Sequence, residues 1–168
     1  MCKTIKKITS VILAVVMLSA VISVNITVNA AEAEQVRVIV RNDVYSVENG
    51  APWDGVLVDE WVDIDDDSTM MSSVVSALDS NGYTQTGAEY NNITEINGLS
   101  AGDSSAYGGW MGTLNDWFTS SGFGDYTVAN GNLESGDEIC IMYSDAWGAD
   151  IGSDWSNNDT SLADIDFS

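Results

Sequence analysis

Val36, Val38 and Val40 alternate with Arg37, Ile39 and Arg41, the period-two spacing of a strand with one buried face. Asn49-Gly50 and the only proline, Pro52, follow and mark a turn. From Val56 to Ile64 the alternation returns, with Val56, Val58, Val62 and Ile64 on one face beside Glu60. Leu57, Asp59, Trp61 and Asp63 take the other face. The period then lengthens. Met71, Val74, Val75 and Leu78 recur at helical spacing between Ser68 and Gly82, with Ser68 or Asp67 as N-cap and Asn81-Gly82 as a left-handed stop. Short strands separated by turn residues follow. One passes through Ile93 and Ile96 and closes at Asn97-Gly98; another runs from Tyr107 to Leu114 and ends at the tight-turn pair Asn115-Asp116. A loop-rich return contains Tyr126 and Val128, and Ser135-Gly136-Asp137 leads into a last apolar strand, Glu138 to Tyr143. One helix among five or six short strands predicts an α+β fold with the helix packed on one sheet face.

The first thirty residues follow a different rule. Lys3, Lys6 and Lys7 precede an apolar run from Ile8 to Val24, broken only by Thr9, Ser10, Ser19 and Ser23. Val28-Asn29-Ala30 then offers small residues for cleavage before Ala31. Residues 1–30 are therefore expected to be a secretory signal peptide, with an uncleaved anchor as the second reading. Secretion or display at the cell surface follows, with no membrane association once the signal is cleaved. Its removal takes all three lysines and none of the acids, leaving two arginines against 26 carboxylates, a net charge of −24. Such a field repels nucleic acid and anionic head groups. It suits a solvated extracellular surface or one that collects divalent cations.

Absences narrow the chemistry. The chain has no histidine, which excludes Ser-His-Asp, Cys-His and histidine-ligated zinc sites. Without lysine beyond the signal, Schiff-base and P-loop chemistry are excluded as well. Cys140 sits inside the apolar "EICIMYS" strand as a small buried hydrophobe. With 26 acids, a pair of neighbouring carboxylates carries no information, so the expectation is a protein that is not an enzyme. Asp63, Asp65 and Asp67 have the one-three-five spacing of an EF-hand loop, but Ser68 stands where glycine is needed and Val74 where a bidentate glutamate is needed. Helix capping is the first reading of these acids, and a looser calcium site built with neighbouring loops is the second.

Four stretches, "DSTMMSSVVSAL", "ITEINGL", "GGWMGTLND" and "LESGDEICIMYS", stand in an order that resembles the transcobalamin-like C-terminal domain family. The shared positions are Ile93, Ile96, Asn97 and Gly98; Gly109, Trp110 and Met111 with Asn115; and Gly136, Asp137, Ile139 and Tyr143. The resemblance spans about Val36 to Gly152. It divides the chain into a signal (1–30), a short N-terminal segment (31–35), the domain (36–152) and a polar acidic linker or tail (153–168). It implies a β-grasp (ubiquitin-like) fold, with one short helix on a mixed sheet of four to six short strands. It also implies a non-catalytic module that binds a soluble ligand such as a corrinoid. In the animal cobalamin carriers this domain covers a corrinoid held against a larger helical domain. Bacterial members occur on exported, often multidomain surface proteins. Two departures stand out: Asp116 replaces the usual glycine of the hairpin turn, and no helical partner domain stands in this chain. "SLADIDFS" resembles the opening strand of cadherin-like modules found beside such domains in clostridial surface proteins, so a further domain is expected beyond the tail.

Tryptophan faces suit a corrin ring, a sugar or another flat ligand. Trp110, Trp117, Phe118 and Trp147 are the candidate ligand-binding residues. By alternation Trp110 shares a face with Gly112 and Leu114, which favours the core for it. Trp117 and Phe118, beyond the turn, are the stronger functional candidates. The competing reading is an acidic surface-architecture or adhesion module, calcium-stabilised, that contacts protein or cell-wall partners through exposed aromatics.

Overall fold

The computed structural model describes residues 34–153, and all of these lie in one compact unit. The expected signal peptide, its expected cleavage site and the "SLADIDFS" tail fall outside the described residues. Strands β1 (Gln35–Asn42) and β2 (Gly55–Asp63) precede helix α1 (Met70–Ser80). Then come β3 (Gln85–Thr86), β4 (Glu95–Ile96), β5 (Leu99–Ser100), β6 (Gly109–Leu114), β7 (Trp117–Phe118) and β8 (Glu138–Ser144). The main sheet has the order β2-β1-β8-β6-β7, and β3, β4 and β5 form a second, three-stranded sheet. Only the central β1–β8 pair is parallel. The α+β class agrees with the sequence pattern. The main sheet, mixed and five-stranded, falls within the expected four to six strands, and the three-stranded sheet is an addition to it. The three strands of the small sheet are two residues each, too short to show any alternation.

The centre of the sheet is apolar on both faces. Val36, Val38 and Val40 of β1 and Ile139, Ile141 and Tyr143 of β8 turn towards α1 and are buried. The opposite side of β8, Cys140 and Met142, packs with Phe118 and Ile151 in a smaller cluster. A strand buried on both sides needs a continuous apolar run rather than alternation, and "EICIMYS" supplies it. Burial raises the Cys140 thiol pKa to about 12, so the thiolate fraction at neutral pH is negligible.

β2 departs from its expected face assignment. Val40 pairs with Val58 but Arg41 pairs with Val56, so Leu57 is an extra residue in a β-bulge. The bulge reverses the alternation behind it. Val56 is turned outward and is 55% exposed, while Leu57 packs against the core.

Helix α1 buries Met70, Met71, Val74, Ala77 and Leu78, the one-sided stripe that a period of 3.6 requires. Its N-cap is Thr69 rather than Ser68 or Asp67. Thr69 Oγ1 accepts from Ser72 N–H at 2.9 Å, and Ser72 Oγ accepts from Thr69 N–H at 2.9 Å, a reciprocal capping box. Ser68 is already engaged: its hydroxyl donates to Asp65 Oδ1 at 2.8 Å. Thr69→Ala is therefore expected to destabilise the domain by about 1 kcal/mol, whereas Ser68→Ala should cost less. Urea unfolding midpoints of the two variants check this ordering.

Candidate functional site

Glycine and aromatic residues build the site together. Trp110 projects from β6 into the space between the two sheets. It stacks on Trp53 with ring centroids 5.8 Å apart and planes 22° apart, and meets Tyr143 edge-on at 5.2 Å and 73°. Both indoles satisfy their N–H groups on the small sheet: Trp110 Nε1 donates to Leu99 O at 3.2 Å, and Trp53 Nε1 donates to Ile96 O at 3.2 Å. The pair ties the two sheets together. Tyr143 adds a third link, its hydroxyl donating to Ser100 O at 3.1 Å.

Beside this cluster lies a cleft of about 290 Å³, lined by Ala106, Tyr107, Gly108, Gly109, Trp110, Met111, Ser144 and Trp147. Gly108 is a steric requirement there. A Cβ on Gly108 would stand 2.6 Å from Tyr143 Oη and 2.7 Å from Ser104 Oγ. Tyr107 and Trp147 form the rim, with ring centroids 6.4 Å apart, and Trp147 is 68% exposed. The loop that carries Trp147 is held from below. Ser144 Oγ accepts from Gly148 N–H at 2.6 Å and donates to Asp150 Oδ1 at 2.5 Å, and Asp150 Oδ2 accepts from Asp145 N–H at 2.6 Å. These bonds hold Trp147 at φ 57°, a left-handed conformation that an aromatic residue adopts only when its surroundings impose it.

A second cleft, of about 320 Å³, lies along the same strand and is bounded by Asn91, Asn92, Trp110, Gly112, Thr119, Ser120, Ser121 and Phe123 among others. It presents amides and hydroxyls where the first presents rings. Neither lining contains a charged side chain, although the chain has 26 acids.

Of the four predicted ligand residues, the structure brings together two, Trp110 and Trp147. Trp117 pairs with Leu114 at the far end of β6 and is 58% exposed. Phe118 lies outside the cleft lining, 5% exposed and part of the smaller apolar cluster; a two-residue strand places its second side chain on the covered face. Asp63, Asp65 and Asp67 stand at the end of β2 and in the turn before α1. Among the described residues no group of three acidic side chains is placed to hold a metal ion. Asp63 Oδ1 accepts from Gln35 Nε2 at 2.7 Å, tying the end of β2 to β1, and Asp65 Oδ1 accepts from Asp67 N–H at 3.1 Å, so Asp65 serves the turn into α1.

The motif residues are architectural. Asn97 and Gly98, at φ 47° and 84°, form the two-residue turn between β4 and β5. Asn115 donates its side chain to Asp137 Oδ1 at 3.0 Å and accepts Glu138 N–H at 3.0 Å. Asp137 in turn accepts Glu134 N–H at 2.8 Å, and Gly136 N–H donates to Gln35 O at 2.8 Å. Gly109 floors the aromatic cleft. Sequence reasoning missed Trp53 and Tyr107. Tyr107 stands directly before Gly108-Gly109, and that adjacency of a ring to small residues was the available signal. Trp53, beside Pro52 in a turn, offered none.

No curated protein and no solved structure gives a significant match to the chain. Residues 71–144, from α1 to the end of β8 and including most of the aromatic cleft, match the model of a family described as a domain of unknown function (DUF4430) and known as transcobalamin-like.

Proposed function

We propose that the protein is an exported, non-catalytic binding module of β-grasp type that takes a flat soluble ligand in the cleft between Tyr107, Trp110 and Trp147. The observation that carries this reading is the uncharged aromatic lining of that cleft in a chain of formal charge −21. An exposed tryptophan held in a left-handed conformation beside it adds support, because strain retained at the surface marks functional positions. The β-grasp assignment draws on the order β2-β1-β8-β6-β7 and on the return of the last strand parallel to the first.

A corrinoid is the first ligand to test. A cleft of about 290 Å³ admits one edge or face of a ligand of that size, which suits a domain that covers a ligand rather than enclosing it. The chain has no histidine, so no protein imidazole reaches the cobalt and recognition rests on stacking and hydrogen bonds. Titration of the protein with cobinamide and with cobalamin is expected to quench tryptophan fluorescence saturably. Trp147→Ala should weaken the affinity at least tenfold, about 1.4 kcal/mol. Absence of saturable quenching by both corrinoids rules out this ligand class.

A further inference from the structure

Strand β2 is the outermost strand of the main sheet, and among the described residues no strand pairs with its outer side. Which main-chain groups this leaves open follows from the register with β1. Ile64 N–H donates to Glu34 O at 2.8 Å, just past the ladder that pairs Asp63 with Gln35, Val62 with Val36 and Trp61 with Arg37. Bonded positions recur every second residue along an antiparallel pair, so Val62, Glu60 and Val58 turn their main-chain groups towards β1. Those of Asp59, Trp61 and Asp63 point outward. The far side of β1 agrees: Arg37, opposite Trp61, donates its N–H away from β2, to Asp137 O at 2.9 Å. Among the described residues no group bonds to the outward N–H and C=O groups of Asp59, Trp61 and Asp63.

The two faces beside this edge differ. On the face turned away from α1, Trp61 is 54% exposed and stands between the exposed side chains of Asp59 and Asp63. On the other face a cleft of about 190 Å³ lies between the strand and α1, lined by Val62, Asp63, Ser68, Ser72, Ser73 and Ser76. Nearer the helix C-terminus the gap is bridged by Glu60, which accepts from the Ser80 hydroxyl at 2.6 Å and from Asn81 Nδ2 at 3.0 Å. Charge is uneven along the edge. Arg37 neutralises Asp59 at 2.8 Å and also meets Glu138 at 2.9 Å. Asp63 meets only the neutral amide of Gln35, and the exposed acids Asp65, Asp66 and Asp67 follow it directly. The Asp63 end of the edge is therefore strongly negative.

We infer that the outer edge of β2 is a strand-addition site for an extended segment of a partner protein in which basic residues precede an apolar pair. The segment runs antiparallel to β2, the more stable ladder, and main-chain bonds to Asp59, Trp61 and Asp63 hold it. The residue opposite Trp61 lays an apolar side chain beside the exposed indole. Successive side chains of a strand point to opposite faces, so the residue before it, opposite Val62, enters the serine-lined cleft, which has room for one aliphatic side chain. The residue before that stands opposite Asp63, and those preceding it pass Asp65 to Asp67. Lysine or arginine belongs at these positions, where opposite charges across a ladder attract. The same acids keep two copies of this chain from pairing edge to edge and disfavour its own acidic tail as the occupant. The site shares no residue with the aromatic cleft.

The test pans a phage-displayed library of random octapeptides on the immobilised protein and titrates the enriched peptides into isotopically labelled protein. Enrichment of basic residues ahead of an apolar pair is expected. On binding, hydrogen exchange at the Asp59, Trp61 and Asp63 amides should slow at least tenfold, while the Glu60 and Val62 amides, already bonded to β1, should hardly change. Trp61→Pro removes an outward donor at an edge position, where proline is tolerated, and should abolish binding. Ser76→Trp, which fills the cleft from an exposed position on α1, should weaken binding at least fivefold. Unchanged exchange protection of β1 in the free variants shows that the sheet is intact in both. Bound peptides that leave the Trp61 amide unprotected, or a library that enriches nothing over an unrelated acidic protein, overturn the inference.

Discussion

Trp110→Ala is expected to destabilise the protein by about 3 kcal/mol, towards the lower end of the range for deleting a large aromatic from a core. The side chain is only partly buried, which holds the loss below that of a fully enclosed ring. Three contacts go at once: the stack on Trp53, the edge contact with Tyr143 and the Nε1 bond to Leu99 O. Trp110→Phe keeps most of the packing but strands the Leu99 carbonyl, and should cost about 1–1.5 kcal/mol. Trp147→Ala, at an exposed rim position, should leave the urea midpoint almost unmoved. A Trp110→Ala cost below about 1 kcal/mol would mean that the paired indoles do not join the two sheets.

Gly112→Ala is expected to cost about 2 kcal/mol, although alanine in a strand ordinarily gains about 0.5–1 kcal/mol over glycine. The added Cβ would lie 2.7 and 2.8 Å from Phe123 Cε1 and Cζ, and 3.0 Å from Ile141 Cδ1. The ring has little room to retreat. The 3-10 turn Phe123–Asp125 that carries it is pinned by Asn91, whose Oδ1 accepts Gly124 N–H at 2.6 Å. Steric conflict therefore outweighs the backbone gain. Coupling to Phe123→Leu supplies the check: the double variant should be more stable than the sum of the two single losses predicts. Strict additivity would place the conflict elsewhere.

The long elements were legible because their patterns are local. Val36 to Val40 alternates, Met71 to Leu78 repeats at helical spacing, and "EICIMYS" is apolar throughout; each became the expected element. Failures occurred where one residue or one distant bond decides the outcome. Leu57 is inserted by a bulge that no spacing rule signals, and it turns Val56 outward. Ser68 carries a good capping side chain, but Asp65 engages it first. The family resemblance was traced from Val36, whereas the matching family model begins at residue 71. The candidate site was half legible. Trp110 and Trp147 were named from composition, but their meeting depends on the loop clasped by Ser144 and Asp150. Trp117 and Phe118 could not be separated until β7 showed which of the two faces the covered side.

The parallel pairing of β1 with β8 also governs the order of assembly. The Arg37–Glu138 ion pair joins residues 101 apart in the chain, and β1 can gain its second neighbour only when β8 arrives. Until then the hairpin of β1 and β2 holds Val36, Val38 and Val40 against an incomplete layer. Closing so long a loop is entropically costly and intrinsically slow. Whatever route the chain takes to its folded state, the main sheet is complete only once β8 has joined β1, so the β1–β2 hairpin stays pliable until the last of these strands is in place.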